Sequence, residues 1–303
     1  MNNRDIHISH LTKHYGTVCA LNDFSIDVQA GELFGLIGPD GAGKTTLFRI
    51  LTTLLLADNG EATVGGWDVR RDMRKIRCSV GYMPGRFSLY PDLTVEENLN
   101  FYATIFNTTL RENYEQIVDI YAMLEPFKNR RAGQLSGGMK QKLALCCTLI
   151  HRPDILFLDE PTTGVDPVSR KELWQMLAQL KSQGMTILVS TPYMDEASLC
   201  DRIALVREGE CLTVDTPEAI RCAYPHRLYA VNGQPKFPLL QALRVCPETF
   251  SCYAFGDAHH LALKDEVDEA AVLRMQQRLE QNSFVDLQFD PIEPNIEDCF
   301  MNF

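Results

Sequence analysis

One stretch narrows the possible folds more than any other: Gly38-Pro39-Asp40-Gly41-Ala42-Gly43-Lys44-Thr45-Thr46, which fits G-x-x-x-x-G-K-[ST] and follows the apolar run Leu33-Phe34-Gly35-Leu36-Ile37. A buried strand, a glycine turn and a helical stretch over residues 44–56 form the arrangement a phosphate cradle needs. The glycines let backbone N–H groups converge on a β-phosphate, and the helix N-terminus adds partial positive charge. Lys44 is expected to reach the β- and γ-oxygens, and the Thr45 hydroxyl to complete a Mg²⁺ shell. The pattern predicts an α/β domain with a nucleoside-triphosphate site.

A second apolar run, residues 155–158, ends in Asp159-Glu160. An acid at the end of such a strand, across from the cradle, can hold Mg²⁺ through water, the role expected of Asp159. Glu160 is then placed to accept a proton from an attacking water as the γ-phosphate leaves. Leu135-Ser136-Gly137-Gly138-Met139-Lys140-Gln141 opens a predicted helix that runs to about residue 150. Ser136 is a natural N-cap, and the two glycines leave backbone N–H groups exposed at the positive helix end.

Together with Gly164-Val165-Asp166-Pro167, these segments resemble the ATP-binding cassette (ABC) ATPases, in that family's order and at its spacings over about residues 4–215. The resemblance implies a P-loop nucleotide-binding domain over residues 1–222, with a helical subdomain at about 87–150. It implies Walker A, signature, Walker B and D-loop roles for the 38–46, 135–141, 155–161 and 164–167 segments, and ATP and Mg²⁺ as ligands. Tyr15 matches the aromatic that stacks on adenine in that family. The family also pairs two such domains head to tail, each nucleotide lying between the cradle of one and the signature residues Ser136, Gly137 and Gly138, with Asp166, of the other. One γ-phosphate is then gripped from two sides, so binding closes the dimer and hydrolysis reopens it.

The chain departs from its family at three places. Gly81-Tyr82-Met83-Pro84 is followed by Gly85 where the family has a glutamine that contacts Mg²⁺ and the membrane subunit, and no glutamine lies between Gly81 and Gln116. After the strand at 186–190 the family places a histidine that touches the γ-phosphate; here Pro192 offers neither an imidazole nor a backbone N–H. Asp40 replaces the more usual asparagine, a change common in the family. Losing one preorganised donor typically costs about 10²–10³ in rate. The expectation is a cradle that binds Mg-ATP and hydrolyses it slowly, while the intact Ser136, Gly137, Gly138 and Asp166 complete a competent site on a different partner. That favours a heterodimer, or a tandem with a second ATPase half, over a symmetric dimer in which Glu160 alone sustains ordinary turnover.

Among the 303 residues a net charge of −11 argues against a nucleic-acid partner, which would want a basic stripe. No apolar stretch approaches the ~18 residues needed to span a bilayer. The polar start Met1–Asp5 does not read as a secretory leader. Ten cysteines without C-x-x-C pairs suggest reduced thiols, with Cys146 and Cys147 packed in a helix. The expected location is cytoplasmic, peripheral on the cytoplasmic face of the inner or plasma membrane.

Within the helical region Thr94-Val95-Glu96-Glu97 is a capping box, and family resemblance puts residues 85–90 at the surface that meets a membrane subunit. Residues 223–303 read as an accessory domain: strand 227–231, helix 238–245, strand 251–255, turn 256–258, strand 260–263, helix 265–281, strand 284–289. This β-α-β-β-α-β order suggests a small ferredoxin-like α+β domain. His259-His260 beside Asp257 read as a solvated turn, not a metal ligand set. His7, His10 and His14 lie on a strand, where their spacing does not bring them together. The tail Pro294–Phe300 resembles the end of ABC-2-type multidrug exporter ATPases, which implies export. The expected function is therefore the ATPase of an ABC exporter working on a separate permease subunit. A nucleotide sensor without useful turnover is the alternative that Gly85 and Pro192 would favour. An ABC protein acting on ribosomes or DNA is disfavoured by the single cassette and the acidic tail.

Overall fold

The computed structural model describes residues 4–86, 89–282 and 284–303. It divides into two compact units, residues 1–217 and 218–303. In the first unit, strands β1 (Ile6–Tyr15) and β2 (Val18–Val28) pair antiparallel, and their alternation buries Ile6 and Ile8 on one and Phe24, Ile26 and Val28 on the other. Strand β3 (Leu33–Ile37) has all five residues buried, as a strand covered on both faces requires. The glycine turn leads it into helix α1 (Lys44–Leu51), which ends earlier than the 44–56 stretch read from sequence because Thr53 turns to a left-handed φ of 63°. Strands β4 (Asn59–Val64) and β5 (Trp67–Asp68) complete an antiparallel sheet in the order β2-β1-β4-β5.

Helix α2 (Met73–Ser79) and strand β6 (Val80–Met83) follow, then helices α3 (Val95–Ile105), α4 (Tyr114–Tyr121) and α5 (Gly137–Leu149). The Thr94–Glu97 capping box is formed at α3 in both directions. Of the predicted helical region and the 85–90 surface, residues 87 and 88 lie outside the described residues. Strand β7 (Ile155–Asp159), helix α6 (Pro167–Ser182), and strands β8 (Thr186–Thr191), β9 (Arg202–Arg207) and β10 (Glu210–Asp215) complete a six-stranded sheet. Its order is β10-β9-β3-β8-β7-β6, parallel except for β10 against β9. One core packs α1 between the two sheets, with Phe48 edge-on to Phe157 at 5.9 Å. The order leaves a single strand, β8, between the cradle strand β3 and the acid-bearing strand β7.

Helix α7 (Pro217–Cys222) spans the division between the units. The second unit runs β11 (Leu228–Gln234), α8 (Lys236–Arg244), β12 (Thr249–Phe255), β13 (Ala258–Leu263), α9 (Glu269–Gln281), β14 (Val285–Ile292) and α10 (Ile296–Asn302). Its four strands form an antiparallel sheet in the order β12-β13-β11-β14, and α8 and α9 share a core with it through Leu239, Leu243, Leu261, Met275 and Leu279. The reading of His259-His260 as a solvated turn is corrected: both lie on β13, because the turn closes at Gly256-Asp257. His259 is buried with Nε2 donating to Lys236 O at 3.0 Å, and His260 Nδ1 meets Asp298 Oδ1 at 2.7 Å, docking α10 onto the sheet. His7, His10 and His14 sit along β1 and pair with different acids: His7 with Asp5 and Asp27, His10 with Asp23, His14 with Asp58.

Candidate nucleotide-binding site

The loop from β3 to α1 is shaped by what its glycines lie against. A Cβ on Gly38 would fall 2.1 Å from Val206 O on β9, and one on Gly43 would fall 2.3 Å from Ala20 O. Gly41 and Gly43 also hold positive φ, 81° and 99°, which side chains rarely adopt. Gly43 is the N-cap of α1, and no side chain caps that helix, so its positive end is left to the loop. Pro39 and Asp40 are exposed at the loop tip.

Lys44 is buried, and its ammonium has three partners: Gly38 O at 2.8 Å, Pro39 O at 3.0 Å and Glu160 Oε1 at 3.3 Å. Phosphate oxygens entering the loop would compete for the same three protons. Thr45 Oγ1 donates to Asp159 Oδ2 at 2.8 Å, joining the first turn of α1 to the end of β7. Asp159 is 3% exposed, and its other oxygen accepts from Ser190 Oγ at 2.7 Å. Ser190 stands opposite Asp159 on the intervening strand β8. The Glu160 N–H donates to both Ser190 O, at 3.1 Å, and Ser190 Oγ, at 3.0 Å. Glu160 itself is held at φ 50°, a left-handed backbone that this residue type reaches only when its surroundings impose it.

Tyr15, Gly41, Ala42, Gly43, Lys44, Thr45, Thr46 and Glu160, with Ala20, line one open cavity of about 260 Å³. Tyr15 is 44% exposed at its mouth, with Lys13 Nζ 6.0 Å from the ring centre. Thr45 and Asp159 present a hydroxyl and a carboxylate, hard oxygen donors of the kind Mg²⁺ selects, so they fit that ion. Gly85 is exposed, and a Cβ there would lie 3.0 Å from Asp159 O, so the chain passes close by the acidic strand end. Pro192 follows the last residue of β8.

Ser136, Gly137, Gly138 and Asp166 form a separate cluster and do not line that cavity. Ser136 Oγ accepts from Met139 N at 3.3 Å, capping α5, and Asp166 Oδ1 accepts from Ser169 N at 3.0 Å, capping α6. A Cβ on Gly138 would lie 2.3 Å from Ser169 Oγ, so the two helix starts are pressed together. Ser136, Gly137 and Asp166 remain exposed. The hydrogen bonds to Asp166 hold its carboxyl below the usual carboxylate range. Sequence reasoning assigned no role to Ser190; its only signal was a position at the end of an apolar strand.

The fold and this cavity define a P-loop nucleotide-binding domain of the cassette type. Residues 21–163 match the ABC transporter family. The chain is 34% identical over 311 residues to the Nod factor export ATP-binding protein I of Rhizobium etli, a likeness that covers 98% of this chain and 92% of that protein. It is 40% identical over 280 residues to the probable multidrug ABC transporter ATP-binding protein YbhF of Escherichia coli (strain K12), covering 91% of this chain and 47% of that protein; the chain thus spans about half the length of that relative. Among solved structures it is similar to an ATP-binding subunit of an ABC transporter (TM-score 0.66, 26% identity, 72% of this chain and 92% of that one). It is also similar to a dimeric ATP-binding cassette in a post-hydrolysis state bound to ADP and Pi (TM-score 0.64, 26% identity, 70% and 98%). The chain belongs to the ABC transporter ATP-binding proteins. Among the described residues no helix is long and apolar enough to cross a membrane.

Proposed function

We propose that this protein is the ATP-hydrolysing subunit of an ABC exporter of the multidrug, ABC-2 type, acting at the cytoplasmic face of the membrane on a separate permease subunit. Export is supported by the names of its relatives, which are multidrug and Nod factor exporters. Hydrolysis is supported above all by one observation: Lys44 reaches Glu160, which lines the same cavity, while Thr45 reaches Asp159 at the end of β7, so the two acids are joined to the phosphate-binding groups. In this reading Gly38, Pro39, Asp40, Gly41, Ala42, Gly43, Lys44, Thr45 and Thr46 cradle the phosphates, and Tyr15 stacks on adenine. Thr45 and Asp159 would hold Mg²⁺, which when bound shields the charge of the β- and γ-phosphates. Glu160 orients the attacking water and takes its proton. Ser136, Gly137, Gly138 and Asp166 act on the nucleotide of a second cassette, and a dimeric cassette of similar fold supports that arrangement.

Because Gly85 and Pro192 stand where the family has glutamine and histidine, we read the chain's own site as slow, and the dimer as one with a different ATPase half. The full chain should bind Mg-ATP by calorimetry and hydrolyse it, and Glu160→Gln should abolish turnover while keeping ATP affinity. Co-purification with the permease is expected to stimulate hydrolysis. A chain that shows no affinity for Mg-ATP, or a Glu160→Gln variant with undiminished turnover, sinks the reading.

A further inference from the structure

Outside the lining of that cavity lies a buried carboxylate that none of the roles above uses. Glu196 is 2% exposed, and both of its oxygens are occupied. Oε1 accepts from Arg170 Nε at 3.1 Å and Nη2 at 2.9 Å. Oε2 accepts from Thr191 Oγ1 at 2.5 Å and Thr162 Oγ1 at 3.1 Å. The Arg170 guanidinium also lies 4.3 Å from the Tyr193 ring centre and reaches Asp195 Oδ2 at 3.3 Å.

These partners are not scattered. Thr162 lies between Glu160 and Asp166 on the segment joining β7 to α6, and Arg170 lies in the first turns of α6, beyond the Asp166 cap. Thr191 ends β8, next to Ser190, whose hydroxyl holds both Asp159 and the Glu160 N–H. Tyr193 N donates back to Thr191 Oγ1 at 3.1 Å, so the turn that carries Pro192 is fastened to the same hydroxyl. An ionised carboxylate taken out of water is costly, and a buried ion pair is weak evidence of stability, since well-packed apolar residues often serve as well. What apolar packing cannot supply is directional attachment of two different loops to a single atom, and Oε2 does this for Thr162 and Thr191.

We propose that Glu196 is a positioning residue that ties the segment carrying Glu160 and Asp166 to the end of β8. The two loops then move as one body, and a displacement at the nucleotide is carried to the exposed Asp166 face. Pro192 stiffens the tie by restricting the backbone beside Thr191. The proposal rests on the reading of Glu160 as the base of this site.

The test uses the purified full chain, measuring kcat, KM, ATP affinity and melting temperature. Thr162→Val removes one hydroxyl and little volume. Its kcat should fall by up to about 10²-fold, the loss expected from misplacing a reacting group by an ångström, with KM and ATP affinity within about twofold of the parent. Thr162→Ser should restore turnover. Glu196→Gln should lose turnover similarly, and the double variant should fall no further, because both changes cut the same tie. Undiminished kcat in Thr162→Val, failure of serine to rescue, or losses that multiply in the double variant would each overturn the proposal. If Glu196→Gln does not fold, the valine and serine variants still decide. Glu160→Gln is the reference: turnover unaffected by it, or undetectable in the parent, defeats the reading of the site itself, whereas a dead Glu160→Gln beside a fully active Thr162→Val defeats this proposal alone.

Discussion

Three single positions carry separate expectations. At Gly38 a methyl group would collide with a backbone carbonyl of β9, which no rotamer change can relieve. Gly38→Ala should therefore push the loop off the sheet, destabilising the first unit by about 1–3 kcal/mol and weakening ATP binding. Urea unfolding and calorimetry check the two effects. At Ser190, one hydroxyl serves both the Asp159 carboxylate and the Glu160 N–H. Ser190→Ala should lower kcat by about tenfold or more while ATP affinity changes little, since the orientation of two acids is lost and the cradle is not. At position 192, a histidine adds the donor that the proline lacks. If the missing donor limits turnover, as proposed above, Pro192→His raises kcat by about 10²-fold in steady-state assays; an unchanged rate would mean that the limit lies elsewhere.

Among the elements, those whose signals are local were the ones legible before the structure. The Thr94–Glu97 box needs only four consecutive residues, and both of its hydrogen bonds are present at α3. Thr94→Ala should cost about 1 kcal/mol, measured as a shift of the urea midpoint. Strands β3 and β7 were visible as apolar runs, and α5 by its serine cap. The end of α1 was not legible, because Leu54 and Leu56 continue an apolar pattern that the left-handed turn at Thr53 interrupts. The histidines of β13 read as a turn for a similar reason: their neighbours are polar, while the bonds of His259 to Lys236 O and of His260 to Asp298 depend on elements distant in the sequence.

Across the whole molecule, burial acts on a histidine in each unit: half-buried His151 in the first and buried His259 in the second. Burial lowers the pKa of His151 below its ordinary 6.5, against the bond it donates to Val80 O, and burial lowers His259 likewise. A histidine whose folded pKa is depressed binds its proton more readily when unfolded. Its contribution is therefore complete above about pH 6.5 and is lost as pH falls through the folded value. His7 runs the opposite way, raised chiefly by Asp27, but it is exposed and contributes little. Both tryptophans, Trp67 and Trp174, lie in the first unit, so their fluorescence follows that unit alone. Urea midpoints read by fluorescence should drop between about pH 7.5 and 5.5, and His151→Gln should flatten that drop. Equal slopes in parent and variant would remove His151 from the account.

The cradle loop, the acid-ended strand and the capped helices were determined by runs of neighbouring residues, because hydrogen bonds to the local backbone and the periodicity of burial act over a few positions; what Gly85 and Pro192 replace came from the family resemblance alone. Strand order was another matter. The insertion of β8 between β3 and β7 brings Ser190 to Asp159 and gathers Thr162, Thr191 and Arg170 around Glu196, and the pairing of β9 with the other edge of β3 sets Val206 O against Gly38. Such contacts join residues far apart in the chain, and no local pattern encodes which strands will be neighbours.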